Sequence, residues 1–272
     1  MGHHHARRRF GQNFLHDAHI VHRMIGSIDP RPEQHCIEIG PGLGALTRPL
    51  LGRLGNLIAI ELDRDLIEPL RRRCSGAGEL EVIQADALSV DFSRFRRGTE
   101  KLRVVGNLPY NVATPLLFHV TDFAAQLKDI HFLLQKEVAE RLAAGAGQTS
   151  YGRLSVMIQY RCQVEALFDV PPEAFRPVPK VTSTWVRLTP HCQPWRWTGD
   201  ERCLAQVVAR AFGQRRKTLR NALRGMVSEQ DFEAAGIKPS ARAETIDLEH
   251  YLRLSAAVAE RNRGNCIHNG ID

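Results

Sequence analysis

Three glycines at alternate positions, Gly40, Gly42 and Gly44, follow the short apolar run Cys36-Ile37-Glu38-Ile39 and precede an apolar-periodic segment beginning at Ala45. A buried strand, a tight turn and a helix start read this way. Glycine permits positive φ and lets a ligand approach where a Cβ would clash. Glu61 stands about twenty residues further on, at the end of a second apolar run, Leu57-Ile58-Ala59-Ile60, where an acid can accept hydrogen bonds from the ribose hydroxyls of a nucleoside cofactor. Glycines alone are compatible with an ordinary turn in an α/β core. The strand before them and the acid after them favour a cofactor site.

The same alternation continues along the chain. Strands are expected at 36–40, 57–61, 80–84, 102–106 and 130–135, with helices near 20–28, 44–53, 64–74, 112–126 and 136–143. Repeated β-α alternation predicts an α/β fold with a mostly parallel, doubly wound, Rossmann-like sheet. Ligands of such sheets bind at the carboxyl ends of the strands. Gly40, Glu61, Asp86 and Asn107 all fall at such ends.

From residue 150 the pattern changes. Strands are expected at 155–160 and 181–188, flanking a segment from Val170 to Lys180 whose four prolines dictate a stiff extended loop. Pro190 to Gly199 is irregular and reads as a boundary, dividing the chain into domains 1–195 and 196–272, the second all-helical: helices are expected at 204–212, 217–227, 228–235 and 248–261.

At 272 residues with 43% hydrophobic content the chain can bury a real core, and wholesale disorder is excluded. The net charge of +7 points to a polyanionic partner, most simply nucleic acid. The six cysteines form no Cys-x-x-Cys pair, so no zinc site is expected and the thiols read as reduced and cytosolic. No apolar run is long enough to span a membrane. His3-His4-His5 reads as a tag remnant.

Asn107-Leu108-Pro109-Tyr110 is the sharpest chemical motif. The exocyclic amine of a base is a poor nucleophile because its lone pair is delocalised into the ring. Acceptors around that NH₂ can localise the lone pair, and the Asn107 amide oxygen with the Leu108 or Pro109 carbonyl suits this role. Proline adds no competing N–H, and Tyr110 can stack on a base. By itself the motif reads more readily as a turn with a buried tyrosine; its place at the fourth strand end favours function.

Phe10-Gly11-Gln12-Asn13-Phe14-Leu15, the glycine loop, Glu61-Leu62-Asp63, Gln84-Ala85-Asp86-Ala87, Asn107-Leu108-Pro109-Tyr110-Asn111, the Phe175 to Val181 segment and Arg215 to Asn221 occur in this order. The ordered set resembles the rRNA adenine N6,N6-dimethyltransferase family, in its small-subunit branch, over nearly the whole of Phe10 to Val258. The resemblance implies an S-adenosylmethionine methyltransferase domain plus a helical C-terminal domain. It implies that methyl groups pass to N6 of two adjacent adenosines in a hairpin near the 3′ end of small-subunit (16S) rRNA, within an assembling ribosomal subunit. It further implies a cytoplasmic monomer with no metal. By match, Asn13, Leu15, Gly40 and Gly42 line the cofactor pocket, Glu61 holds the ribose and Asp86 the adenine amine. Asn107 lies by the reacting methyl, and Phe175 sandwiches the target adenine against Tyr110. His16 and Gly213 depart locally from the family pattern. A large-subunit dimethylase of the antibiotic-resistance type, a nicotinamide dehydrogenase using the same glycines, and an assembly factor acting by binding are the rivals.

Two basic stretches are candidate RNA contacts. Arg7, Arg8 and Arg9 stand beside Phe10 and Phe14; such a set meets phosphate and stacks on bases, or forms a solvated arm. Arg215, Arg216, Lys217, Arg220 and Arg224 lie in a run without acids, and Arg216, Arg220 and Arg224 recur every four residues, as on one face of a helix.

Overall fold

The computed structural model describes residues 13–96, 98–192 and 200–268, with side chains to 263. The order is β1 (Phe14–Leu15), α1 (Ala18–Ile28), β2 (Cys36–Ile39), α2 (Thr47–Leu54), β3 (Asn56–Glu61), α3 (Arg64–Cys74), β4 (Glu79–Gln84), β5 (Leu102–Asn107), α4 (Ala113–Thr121), β6 (Leu127–Gln135) and α5 (Lys136–Ala143). There follow α6 (Arg153–Arg161), β7 (Cys162–Val170), β8 (Phe175–Arg176), β9 (Ser183–Pro190), α7 (Glu201–Gly213), α8 (Leu219–Ala222), α9 (Glu229–Ala234) and α10 (Leu248–His268).

The chain divides into two compact units, Met1–Ala139 with Cys162–Pro190, and Glu140–Arg161 with His191–Asp272. The division expected after residue 195 is therefore not a single cut: residues 140–161 belong with the C-terminal helices.

The first unit holds a seven-stranded sheet of order β4-β3-β2-β5-β6-β9-β7, parallel from β4 through β6, with β9 antiparallel to both β6 and β7. The central strands are buried along their whole length, as a sheet covered on both faces requires: Cys36 to Ile39 and Leu102 to Val105 are all buried. Helices seal the sheet through periodic apolar faces. In α1 these are Ile20, Met24, Ile25 and Ile28, and Asp17 caps the helix by accepting from the His19 and Ile20 amides at 2.8 and 3.0 Å. In α3 they are Leu66, Leu70 and Cys74, with Asp63 as cap.

After β2 the chain builds β3 and β4 on one side, then crosses back to place β5 on the other side of β2. The order reverses there, and a crevice opens beyond the carboxyl ends of β2 and β5. The two strands meet closely because Gly106 has no side chain: a Cβ would lie 2.6 Å from the Ile39 carbonyl oxygen. This closeness sets Asn107 beside the glycine loop.

Three expectations are corrected here. Residues 155–160 are not a strand but part of α6. Leu154 to Ile158 are all buried, and an element buried all round carries no periodicity to read. Ser155 Oγ donates to the Arg141 carbonyl, and Gln159 Nε2 to those of Leu142 and Ala144 at 2.7 and 2.8 Å, satisfying the open carbonyls at the end of α5. The strand that pairs with β9 is instead β7, an edge strand whose burial is mostly partial; its Glu165 pairs across the ladder with Arg187 at 2.8 Å. Finally, residues 217–227 hold one short helix, α8, rather than a long one.

Candidate active site

A cavity of about 280 Å³ occupies the crevice, lined by Asn13, Gly40, Glu61, Asp86, Asn107 and Tyr110 among others. The floor is the glycine loop. Gly40 and Gly42 take φ of 65° and 54°, which L side chains rarely adopt. A Cβ on Gly40 would face the Asn107 carbonyl oxygen at 3.6 Å, and one on Gly42 would press into the Phe14 ring at 3.1 Å.

Glu61 is held from two directions. Its Oε2 accepts from the Gly42 amide at 3.2 Å and its Oε1 from the Asp63 amide at 2.9 Å. Burial raises its pKa, and the two amides oppose the rise. Each oxygen keeps a lone pair for a ligand hydroxyl. Asp86 lines the cavity and is exposed; its Oδ1 accepts from the Leu88 amide at 3.0 Å, which holds the carboxylate in place.

Asn107 donates through Nδ2 to the Asn13 carbonyl oxygen at 3.0 Å. A carbonyl can only accept, so the amide's orientation is decided. Among the described residues nothing donates to Oδ1. Next in the chain, Leu108 is buried, and the Pro109 carbonyl accepts from the Val112 amide at 3.1 Å, closing a turn. Tyr110 is half-buried on the cavity wall, its hydroxyl 2.8 Å from Ser183 Oγ; burial raises its pKa against that hydrogen bond.

Leu15 is in the cavity lining through its place in β1, which pairs antiparallel with β8. That pairing corrects the role of Phe175. Phe175 stands opposite Leu15, is 0% exposed, and lies in the apolar core with Ala174, Val170 and Trp185. It is absent from the cavity wall. The motif announced an aromatic ring but not the side to which a two-residue strand would turn it.

Two residues at the cavity carry more than the sequence reading gave them. Phe14, half-buried over Gly42, forms one wall. Glu38, in the middle of β2, is 2% exposed yet reaches the cavity lining. Burial pushes its carboxyl up to about 8, the neighbouring Glu61 charge adds to this, and the Thr47 hydroxyl opposes it. That hydroxyl makes no hydrogen bond of ordinary geometry, so Glu38 Oε2 and Thr47 Oγ1 are both buried and unpartnered. The signal was present as the single acid in an apolar run.

Arg7, Arg8 and Arg9 lie outside the described residues. Arg215, Arg216, Lys217, Arg220 and Arg224 are exposed in the second unit, but not as one helical face. Arg216 and Lys217 precede α8 and Arg224 follows it. Arg215 donates to the Thr149 carbonyl at 3.1 Å, and Arg220 pairs with Glu229 at 2.9 Å.

The ribosomal RNA adenine dimethylase family model matches residues 3–260 of this chain. The ribosomal RNA small subunit methyltransferase A of Pseudomonas aeruginosa is 52% identical over 257 residues, covering 94% of this chain and 96% of the relative. That of Acinetobacter baylyi is 51% identical over 252 residues, 93% and 92% of the two chains. Among solved structures, the 23S rRNA methyltransferase ErmE superposes with a TM-score of 0.71 at 27% identity, over 90% of this chain and 99% of its own. A dimethyladenosine transferase from Plasmodium falciparum, at 24% identity, superposes with a TM-score of 0.79 over 93% and 98%, and shares the fold.

Proposed function

This chain belongs to the ribosomal RNA adenine dimethylase family, and on that premise we propose that it transfers methyl groups from S-adenosylmethionine to N6 of two adjacent adenosines near the 3′ end of small-subunit (16S) rRNA. The observation that carries the chemistry is the Asn107 amide, tied by Nδ2 to the Asn13 carbonyl with Oδ1 left over as an acceptor at the cavity.

The cavity fits the cofactor. Side-chain-free backbone at Gly40 and Gly42 admits a close ligand, Glu61 offers acceptor pairs for ribose hydroxyls, and Asp86 offers a carboxylate to an adenine amine. When bound, S-adenosylmethionine supplies an electrophilic methyl on a sulfonium sulfur. The protein's part is to prepare the amine. Asn107 Oδ1 accepts from one N6–H of the target adenosine. The Leu108 or Pro109 carbonyl accepts from the other; Pro109 keeps a second lone pair beyond the one that closes the turn to Val112. Two acceptors draw the nitrogen toward tetrahedral geometry and localise its lone pair, an interaction that strengthens as the reaction proceeds. Tyr110, braced by Ser183, offers its ring to a base extruded from its stack. Alkylation acidifies the amine, so a dedicated base is unnecessary.

The rRNA is the partner. An assembling small subunit as substrate, a monomeric state and a cytoplasmic setting belong to the same reading. The small-subunit relatives and the positive charge support the small-subunit substrate; among the described residues no helix is long and apolar enough to cross a membrane. The exposed cations of the helical second unit, Arg215, Arg216, Lys217, Arg220 and Arg224, are assigned to contact with the RNA backbone. Incubation with labelled S-adenosylmethionine and either unmethylated small subunits or large-subunit rRNA tests the reading. Label is expected on paired adenosines of the small-subunit RNA; label on the large-subunit RNA alone overturns it.

A further inference from the structure

A second groove in the first unit adjoins the cavity and shares Phe14, Leu15, Leu43 and Ala45 with it. Its polar rim is Arg48 of α2, Arg73 of the last turn of α3 and Arg176 of β8, with His16; no Asp or Glu lines it. The three arginines are exposed and, among the described residues, none is engaged in an ion pair. Some exposed arginines of this unit are matched, Arg31 with Asp29 and Arg72 with Glu68; others, Arg53, Arg71 and Arg94, stand singly along the surface, so what sets these three apart is their gathering at one groove. Arg73 by itself complements the carboxyl end of α3. That account does not reach Arg48 or Arg176, which come from elements far apart in sequence and meet at one groove. A merely solvated surface mixes signs; this one does not.

We infer that the groove is a phosphate track, taking the sugar–phosphate backbone of the RNA strand that flanks the adenosine in the cavity. The inference rests on the reading of the chain as an rRNA methyltransferase, and it adds the path of the substrate. Guanidinium groups grip phosphate oxygens bidentately, so three of them fix the register of a strand without reading its sequence. The shared wall of Phe14 and Leu43 makes the track continuous with the cavity, so a nucleotide leaving its stack stays tethered at its neighbours' phosphates. A cofactor carboxylate is a poorer occupant, being a single anion where three cations converge.

The test uses the full chain with the combined substitutions Arg48→Gln, Arg73→Gln and Arg176→Gln. Affinity for unmethylated small-subunit rRNA is measured across a salt series with S-adenosylhomocysteine present. The log–log salt slope should become shallower by about two to three, since each phosphate contact on a single strand or duplex contributes roughly 0.7–0.9. KM for RNA should rise while kcat at saturating RNA and cofactor affinity hold. Arg253→Gln, which removes a cation already paired with Glu249, should leave the slope alone. If the triple variant melts early, Arg48→Gln and Arg176→Gln singly should each remove about one contact's slope. An unchanged slope and KM in folded variants overturns the track. So does a loss of cofactor affinity with RNA affinity intact, or a loss seen with whole subunits but not with naked rRNA, which points to a protein partner. Failure of the wild type to methylate any rRNA strikes instead at the functional reading.

Discussion

The side-chain amide of Asn107 donates to the backbone carbonyl of Asn13 at 3.0 Å, across 94 residues of chain. Asn107 ends β5 and Asn13 precedes β1, so the backbone just before the N-terminal strand fixes which way this side-chain amide points.

Asn107→Asp keeps the shape and removes the donor. A carboxylate facing the Asn13 carbonyl sets lone pair against lone pair, so it should rotate or take up a proton, and the acceptor geometry is lost. Loss of one preorganised polar group in a closed site costs on the order of 3–4 kcal/mol, so kcat should fall a hundredfold or more for both Asp and Ala at this position. RNA affinity should hold. Single-turnover methylation with mass spectrometry of the digested rRNA checks this; near wild-type dimethylation by a folded Asn107→Ala variant would falsify the acceptor role.

Glu61 ties the glycine loop as well as standing where the proposed ribose hydroxyls would bind, because its oxygens hold the Gly42 and Asp63 amides. Glu61→Ala should weaken cofactor binding by about 1.5–3 kcal/mol for lost charge-assisted hydrogen bonds. Unlike a pure ligand contact, it should also lower the melting temperature of the cofactor-free protein. Calorimetry and thermal melts separate the two effects, and unchanged cofactor affinity in a folded variant removes Glu61 from the site.

Phe175 lies in the core, so its substitutions should behave as core substitutions. Phe175→Ala should cost about 3–5 kcal/mol of stability. Phe175→Leu, which keeps most of the apolar volume, should cost much less and retain dimethylation, whereas Tyr110→Ala should lose positioning of the base at unchanged stability, about 1–3 kcal/mol of stacking. A stable Phe175→Leu variant that loses methylation would restore the sandwich.

The parts legible in the sequence are those governed by near neighbours. An apolar run, a glycine loop and an acid at the next strand end are enough to place the cofactor cavity, because strand, turn and ligand approach each demand a residue type locally. What escaped depends on distant partners. Nothing near Phe175 says that β8 will pair with Leu15 and turn the ring inward. Nothing in the spacing of Arg216, Arg220 and Arg224 says that Thr218 will bridge to Arg242 and that the Leu219 amide will bond to Ala241, which limits α8 to a single turn. Residues Leu154 to Ile158 escaped for the opposite reason: burial on every side erased the pattern.

Glu38 supplies the pH dependence. Its buried carboxyl titrates near 8 when folded, against an ordinary 4.5. A raised folded pKa contributes stability that is complete below about pH 4.5 and is lost as pH climbs through about 8, because only the unfolded chain ionises freely in between. At one pKa unit per 1.36 kcal/mol, the cofactor-free protein should lose on the order of a few kcal/mol across that window. Glu38→Gln has no proton to lose. Its stability should therefore match the wild type near pH 5 and exceed it increasingly toward pH 9. His131 works in the other direction: burial holds it near 4, so its stabilisation is present above about 6.5 and fades as pH falls toward 4. Both proteins carry His131, so its effect cancels in the difference. Urea unfolding of the two cofactor-free proteins at half-unit pH steps measures that difference, and a gap that does not widen with pH removes the proton from Glu38.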